Sequence, residues 1–148
     1  MKTVIQKVKS ASVLINNELY SNIQKGYLVL FGAEKEDTKL QADWLANKIS
    51  VLRCFSDEND KMNLSIKDVD GEILIVSQFT LCTDIRKGTR PGFDKAMPPK
   101  EANEMYEYFV SKVKEQGIPV KTGVFGAHMD VSLINDGPVT FVINAPVL

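Results

Sequence analysis

The sequence predicts an α/β fold in one domain over residues 1–148, a mixed or antiparallel sheet packed by two main helices. Three observations lead there. Strand-like runs come in clusters and are not each followed by a helix, which argues against a doubly wound parallel fold. Only two stretches repeat apolar residues at three and four positions. The composition is that of an ordinary globular chain, 44% hydrophobic and 25% charged, and the length suffices for a good core.

The elements follow in order. Residues 3–8 and 11–15 read as two short strands, carrying Thr3, Val4, Ile5 and Val8, then Val13, Leu14 and Ile15. Asn16-Asn17 supplies a turn, and Glu18 to Ile23 returns as a hairpin. Gly26 opens the run Tyr27-Leu28-Val29-Leu30-Phe31, whose lack of alternation predicts a central strand covered on both faces. Trp44, Leu45, Ile49 and Leu52 then give one apolar stripe on a helix from about residue 38 to 53. Thr38 and Gln41 match a capping box, and Glu36 and Asp37 add negative charge near that end. Ser56 to Asp60 is a turn whose acidic residues lack the spacing of a calcium loop.

Asp70-Gly71 makes another turn, and Glu72 to Leu81 reads as the clearest strand in the chain. Its second half places Ser77, Gln78 and Thr80 where the strand should leave the core, so these need hydrogen-bond partners or a ligand. Residues 84–99 lack periodicity and hold Arg86, Lys87, Gly88, Arg90, Pro91 and Gly92; a stretch of that length is often functional. A helix follows from about Pro99 to Gln116, with Ala102, Met105, Tyr106, Phe109, Val110 and Val113 on its core stripe. Val120 to Val124, Met129 to Leu133 and Val139 to Ile143 return to strands, for a total of about seven. Asn135-Asp136-Gly137-Pro138 breaks the last two apart, and on the residues alone reads as an ordinary trans turn.

Charge and composition exclude several classes of function. Lys and Arg total 18 against 19 Asp and Glu, a formal net charge of -1, which excludes a binder working by bulk positive charge and leaves contact with a few phosphates open. No apolar run is long enough to span a membrane, and residues 1–15 lack a signal-peptide core, so a cytoplasmic location is expected. Cys54 and Cys82 are too few for a disulfide framework and read as small packed side chains. Cys82, Asp84, His128 and Asp130 match no zinc signature, so no metal is expected. A triad on His128, the sole histidine, lacks any nucleophile-elbow pattern. Gly88 and Gly92 form no phosphate loop, and no nucleotide cofactor is expected. What remains is Ser77-Gln78-Phe79-Thr80, whose polar groups either bond a neighbouring strand or meet a substrate beside N–H groups able to stabilise an oxyanion, and the Asp136-Gly137-Pro138 turn.

These two stretches carry a resemblance. Ser77-Gln78-Phe79-Thr80-Leu81 and Asn135-Asp136-Gly137-Pro138-Val139-Thr140 resemble, in order and spacing, the two signature motifs of the D-aminoacyl-tRNA deacylases. The likeness extends to Ile5-Gln6-Lys7-Val8, Phe55-Ser56-Asp57, Lys61-Met62-Asn63, Gly88-Thr89-Arg90-Pro91 and Gly123 to Ala127 with Met129. It implies a compact, β-barrel-like α/β unit acting as a homodimer with its active sites at the interface. It implies hydrolysis of the ester between a D-amino acid and the tRNA 3′ end, removal of glycine from mischarged tRNA, and no cofactor, DNA or membrane. Ser77, Gln78, Phe79 and Thr80 would form the catalytic pocket, with oxyanion stabilisation by backbone N–H groups near Phe79 and Thr80 and with the 2′-hydroxyl activating water. Thr80 is weighed as a nucleophile too, but no partner base is evident. Gly137 and Pro138 would form a Gly-cisPro element inserted into the other subunit, its two carbonyls leaving room only for hydrogen on the α-carbon, so an L side chain is rejected. Arg86, Lys87 and Arg90 are expected to approach tRNA phosphates. Lys7 departs from the arginine that many relatives carry as an anchor for the inserted element, and keeps the charge without the bidentate fork.

Overall fold

The computed structural model describes residues 1–148. Its backbone is organised around one long strand, β1 (Lys2–Ile15), bent so that its two halves serve different neighbours. A two-residue turn at Asn16 and Asn17, both at positive φ, returns the chain into β2 (Glu18–Ile23), which pairs with the second half of β1. β3 (Gly26–Gly32) pairs antiparallel with the first half. β6 (Glu72–Ser77) lies parallel to β3, and β7 (Val120–Thr122) lies parallel to β6. β8 (Asp130–Asn144) runs antiparallel along almost all of β1. The mixed sheet curls into a nearly closed, barrel-like shape. A small hairpin of β4 (Phe55–Ser56) and β5 (Met62–Leu64) stands apart. Its turn is closed by the Asp57 carboxylate, which accepts from the Asn59 and Lys61 amides.

The alternation along β3 explains its continuous apolar run. Tyr27, Val29 and Phe31 join Ile5, Ile73 and Ile75 on the face covered by the helices. Leu28 joins Val8, Val13, Leu74 and Val76 in a second, smaller cluster on the opposite face. The helices are α1 (Lys39–Val51) and α2 (Pro99–Glu115). Leu45 and Ile49 of α1 and Tyr106, Phe109 and Val113 of α2 complete the main core, where Phe31 stacks on Phe109 at 4.7 Å. No helix is long and apolar enough to cross a membrane.

Several expectations need correction. β1 is one strand, because β8 supports it across Lys9 and Ser10, where the apolar pattern lapses. β6 stops at Ser77; a single 3-10 turn over Phe79–Cys82 takes the place of the expected strand end. β8 is continuous through Asn135 to Pro138, with the register slipping opposite Lys7. The Gly137–Pro138 peptide bond is cis, against the trans turn the residues alone suggest. The capping box forms as read, with Leu40 N–H donating to Thr38 Oγ1 and Thr38 N–H donating to Gln41 Oε1. Asp37 does not serve that helix end: it accepts from the Met1 ammonium at 2.5 Å and from the Glu34 amide at 2.6 Å. Trp44 and Met105, expected on core stripes, are only half-buried.

Candidate active site

A cavity of about 570 Å3 opens where β6 ends. The strand delivers Val76 and Ser77, and Gln78 and Phe79 follow them into the wall. The ladder between β3 and β6 closes with Gln78 N–H donating to the Phe31 carbonyl at 2.7 Å. The chain then turns sharply, so the amides of Phe79 and Thr80 open the 3-10 turn, where a helix leaves its first N–H groups without partners of its own. The Gln78 amide donates to Thr80 Oγ1, and Thr83 Oγ1 donates to the Thr80 carbonyl.

The second wall comes from the irregular stretch. Asp84 and Gly92 close it on itself with backbone bonds of 2.8 and 2.9 Å, and two bonds fix it to the body: Lys35 N–H reaches the Lys95 carbonyl, and Met97 N–H reaches the Ala33 carbonyl. This holds Phe93, Ala96, Met97, Pro98 and Pro99 against the cavity, joined by Ala102 of α2. Phe93 meets Phe79 edge to face with ring centres 5.0 Å apart, so the half-exposed Phe79 is braced from one side. Residues Phe125 to Met129, on the connection between β7 and β8, and Val131 of β8 close the third side. Behind Phe125 lies Tyr106, whose buried hydroxyl donates to the Ile75 carbonyl at 2.6 Å; burial raises that phenol well above the ordinary tyrosine range.

The lining is mostly apolar, and His128 is its one ionisable side chain. His128 hydrogen-bonds none of Ser77, Thr80 and Cys82: Thr80 Oγ1 is engaged by Gln78, and the buried Cys82 thiol points to the Ala33 carbonyl at 3.4 Å. Burial raises the Cys82 thiol, which makes it a poor nucleophile. No three His, Cys, Asp or Glu side chains gather so as to hold a metal ion.

A protein-family model described as D-Tyr-tRNA(Tyr) deacylase matches residues 4–144. The chain belongs to that deacylase family. A D-aminoacyl-tRNA deacylase of Geotalea daltonii is 54% identical over 146 residues, 99% of this chain and 97% of the relative. The protein of that name from Haemophilus influenzae is 56% identical over 144 residues, 97% of this chain and 99% of the relative. A solved structure described as "c-Myc DNA Unwinding Element Binding Protein" superposes with a TM-score of 0.93 at 40% identity, covering 99% of this chain and all of that one. Another, described as "Structural Analysis of a probable eukaryotic D-amino acid tRNA deacylase", shares the fold with a TM-score of 0.79 at 18% identity, covering 96% of this chain and 97% of that one.

Within this deacylase-family fold, the expected site residues divide into groups. Ser77, Gln78 and Phe79 line the cavity, while Thr80 is exposed beside it and does not. Gly137 and Pro138 are exposed on β8 and do not line the cavity of their own chain. The backbone around them is held by Asn135, whose side chain accepts from Val139 N–H at 2.7 Å and donates to Thr140 Oγ1 at 2.9 Å. Arg86, Lys87 and Arg90 lie outside the cavity on an exposed loop. Arg86 is engaged there by Asp84: its Nε donates to both carboxylate oxygens at 2.9 and 3.0 Å, and this holds the Asp84 carboxyl well below the usual carboxylate range. Lys7 lies opposite the register slip, its ammonium 5.5 Å from the centre of the Phe55 ring. The wall residues Phe93 and Met97 carry no chemical signature and emerge only from the folded chain, whereas Phe125 lies in a stretch that already carried the family likeness.

Proposed function

We propose that this chain hydrolyses the ester of D-aminoacyl-tRNA, releasing tRNA and the D-amino acid. The observation that carries the reading is the coincidence of Ser77, Gln78 and Phe79 with the cavity wall, in a chain whose relatives are named for this reaction. The cavity volume, about 570 Å3, suits one small ligand such as a terminal adenosine with its ester. Water adds to the ester carbonyl, the bond to the 3′ oxygen breaks, and that oxygen takes a proton. The lining holds no carboxylate or lysine, and its one ionisable side chain, His128, is 96% exposed, so the reading assigns water activation to the substrate's own 2′-hydroxyl. The protein supplies placement, and the reading gives the Phe79 and Thr80 amides, which open the 3-10 turn, the task of receiving the developing oxyanion. The Thr80 hydroxyl, held by Gln78, is given no role as nucleophile.

Selectivity is assigned to Gly137 and Pro138. They are exposed, braced by Asn135 and outside their own chain's cavity, which suits insertion into the cavity of a second copy. Their carbonyls would face the substrate α-carbon and exclude an L side chain. Glycine presents hydrogen on both sides, so glycyl-tRNA(Ala) is a substrate on this reading. The site is then completed in a homodimer, working in the cytoplasm where charged tRNA is found, with Arg86, Lys87 and Arg90 near tRNA phosphates. The test is hydrolysis of D-tyrosyl-tRNA and L-tyrosyl-tRNA by the purified protein, with its mass measured by sedimentation. Cleavage of the D form alone by a dimer is expected. Equal cleavage of both would overturn the selectivity mechanism, and cleavage of neither would overturn the activity.

A further inference from the structure

We propose that His128 is a positioning residue at the cavity mouth that holds the phosphate next to the substrate's terminal adenosine, so that affinity for tRNA falls as pH rises. The inference rests on the deacylase reading above. It starts from a scarcity. His128 is the sole histidine of the chain and the one ionisable side chain in the cavity lining. Its side chain is 96% exposed, so it stands at the mouth and not in the depth. A cavity of about 570 Å3 takes one nucleoside with its ester, so the strand that follows must leave through the mouth. The first group to leave is an anionic phosphodiester.

The charges around His128 are few. Asp130 Oδ1 lies 3.8 Å from its Nε2 and is itself exposed. β6, the 3-10 turn, residues 84–99 and α2 contribute no charged side chain to the lining. Histidine is the side chain that changes charge between about pH 5 and 8. Protonated, it cancels Asp130 and offers the phosphate a charge-assisted N–H donor. Neutral, it leaves the Asp130 carboxylate as the charge at the mouth, which repels the phosphate. One change of protonation thus alters both attraction and repulsion.

The test measures binding of a tRNA bearing D-tyrosine through a 3′-amide, which cannot be hydrolysed, between pH 5.5 and 8. The dissociation constant of the unaltered protein is expected to rise two- to fivefold across that range, the size of one exposed charge pair. His128→Gln should show the weak value throughout. His128→Lys, charged at every pH used, should show the tight value throughout. D-tyrosyl-adenosine with the same amide and no phosphate shares the tRNA ligand's α-amino group, which titrates at about pH 8, so whatever slope it shows is the ligand's own, should be the same with all three proteins, and is subtracted from the tRNA slopes above. The proposal is overturned if His128→Gln keeps the slope, if the unaltered protein has none, or if the phosphate-free ligand shows the same slope. Each of these results would leave cleavage of D-tyrosyl-tRNA intact, whereas failure of that cleavage would remove the underlying reading as well.

Discussion

At the residue scale, the position of the proposed selectivity element that tolerates least is Gly137. Its φ is +149°, in the region that L side chains rarely adopt. A Cβ built there would lie 2.7 Å from Val139 Cγ2 and 2.8 Å from the Val139 nitrogen. That nitrogen is the donor that Asn135 uses to hold the tip, so the backbone cannot yield without losing its brace. Gly137→Ala is therefore expected to displace the two carbonyls assigned to chiral rejection. A shift of about 1 Å at a positioned group costs on the order of a hundredfold in rate. The ratio of kcat/KM for D-tyrosyl-tRNA over L-tyrosyl-tRNA should fall by roughly tenfold or more. Circular dichroism and a urea transition matching the parent would show that the fold survives. An unchanged ratio would remove Gly137 from the selectivity mechanism.

At the scale of elements, the loop after the 3-10 turn presents three cations to solvent, but one is already engaged. Arg86 spends its guanidinium on Asp84, leaving Lys87 and Arg90 without a side-chain ion partner. Replacing Asp84 with Asn should free that guanidinium for phosphate. The slope of log Kd against log salt for tRNA binding should steepen by about one contact. The Arg86→Ala, Lys87→Ala double variant should make it shallower by one to two contacts, roughly. Slopes equal to the parent in both variants would place the loop away from the RNA. Elements also mark how far the sequence could be read. α1 and its cap were legible because Thr38 and Gln41 act through local bonds, and α2 because its stripe has one period. The end of β6 was not: Ser77 to Leu81 alternates like a strand, but the ladder closes at Gln78 and the chain must turn toward Ala33. The motif at this turn could be recognised, as could the stretch that carries Phe125, while the Phe93 and Met97 wall could not, since apolar residues in irregular chain acquire meaning only from tertiary contact.

At the scale of the whole molecule, the titrating groups set where the fold is most stable. On the acid side, the depressed carboxyls lie at the surface, Asp68 exposed and Asp57 and Asp84 partly so. The Lys61 backbone amide lowers Asp57, the Ser65 amide lowers Asp68, and Arg86 lowers Asp84. Their stabilisation is present above the ordinary carboxylate range near pH 4 and is lost as pH falls through their lower folded values. Exposure to solvent keeps that limb shallow. The alkaline side involves buried groups. Burial raises the Cys54 and Cys82 thiols, and it raises the Tyr27 and Tyr106 phenols further. Tyr27 is fully buried with its hydroxyl 2.7 Å from Cys54 Sγ, so ionising either would place charge inside the main core. For all four, the unfolded chain loses protons first. Stability is then complete below the unfolded thiol pKa near 8.5, and declines as pH rises from there toward the higher folded values. The urea midpoint should hold level from about pH 6 to 8, then fall by pH 10, more steeply than it falls toward pH 4. Cys54→Ala and Cys82→Ala together should delay the onset of that decline toward the tyrosine range near pH 10. A midpoint that stays level to pH 10 in the parent would mean that the buried thiols and phenols ionise in the folded core as freely as in the open chain.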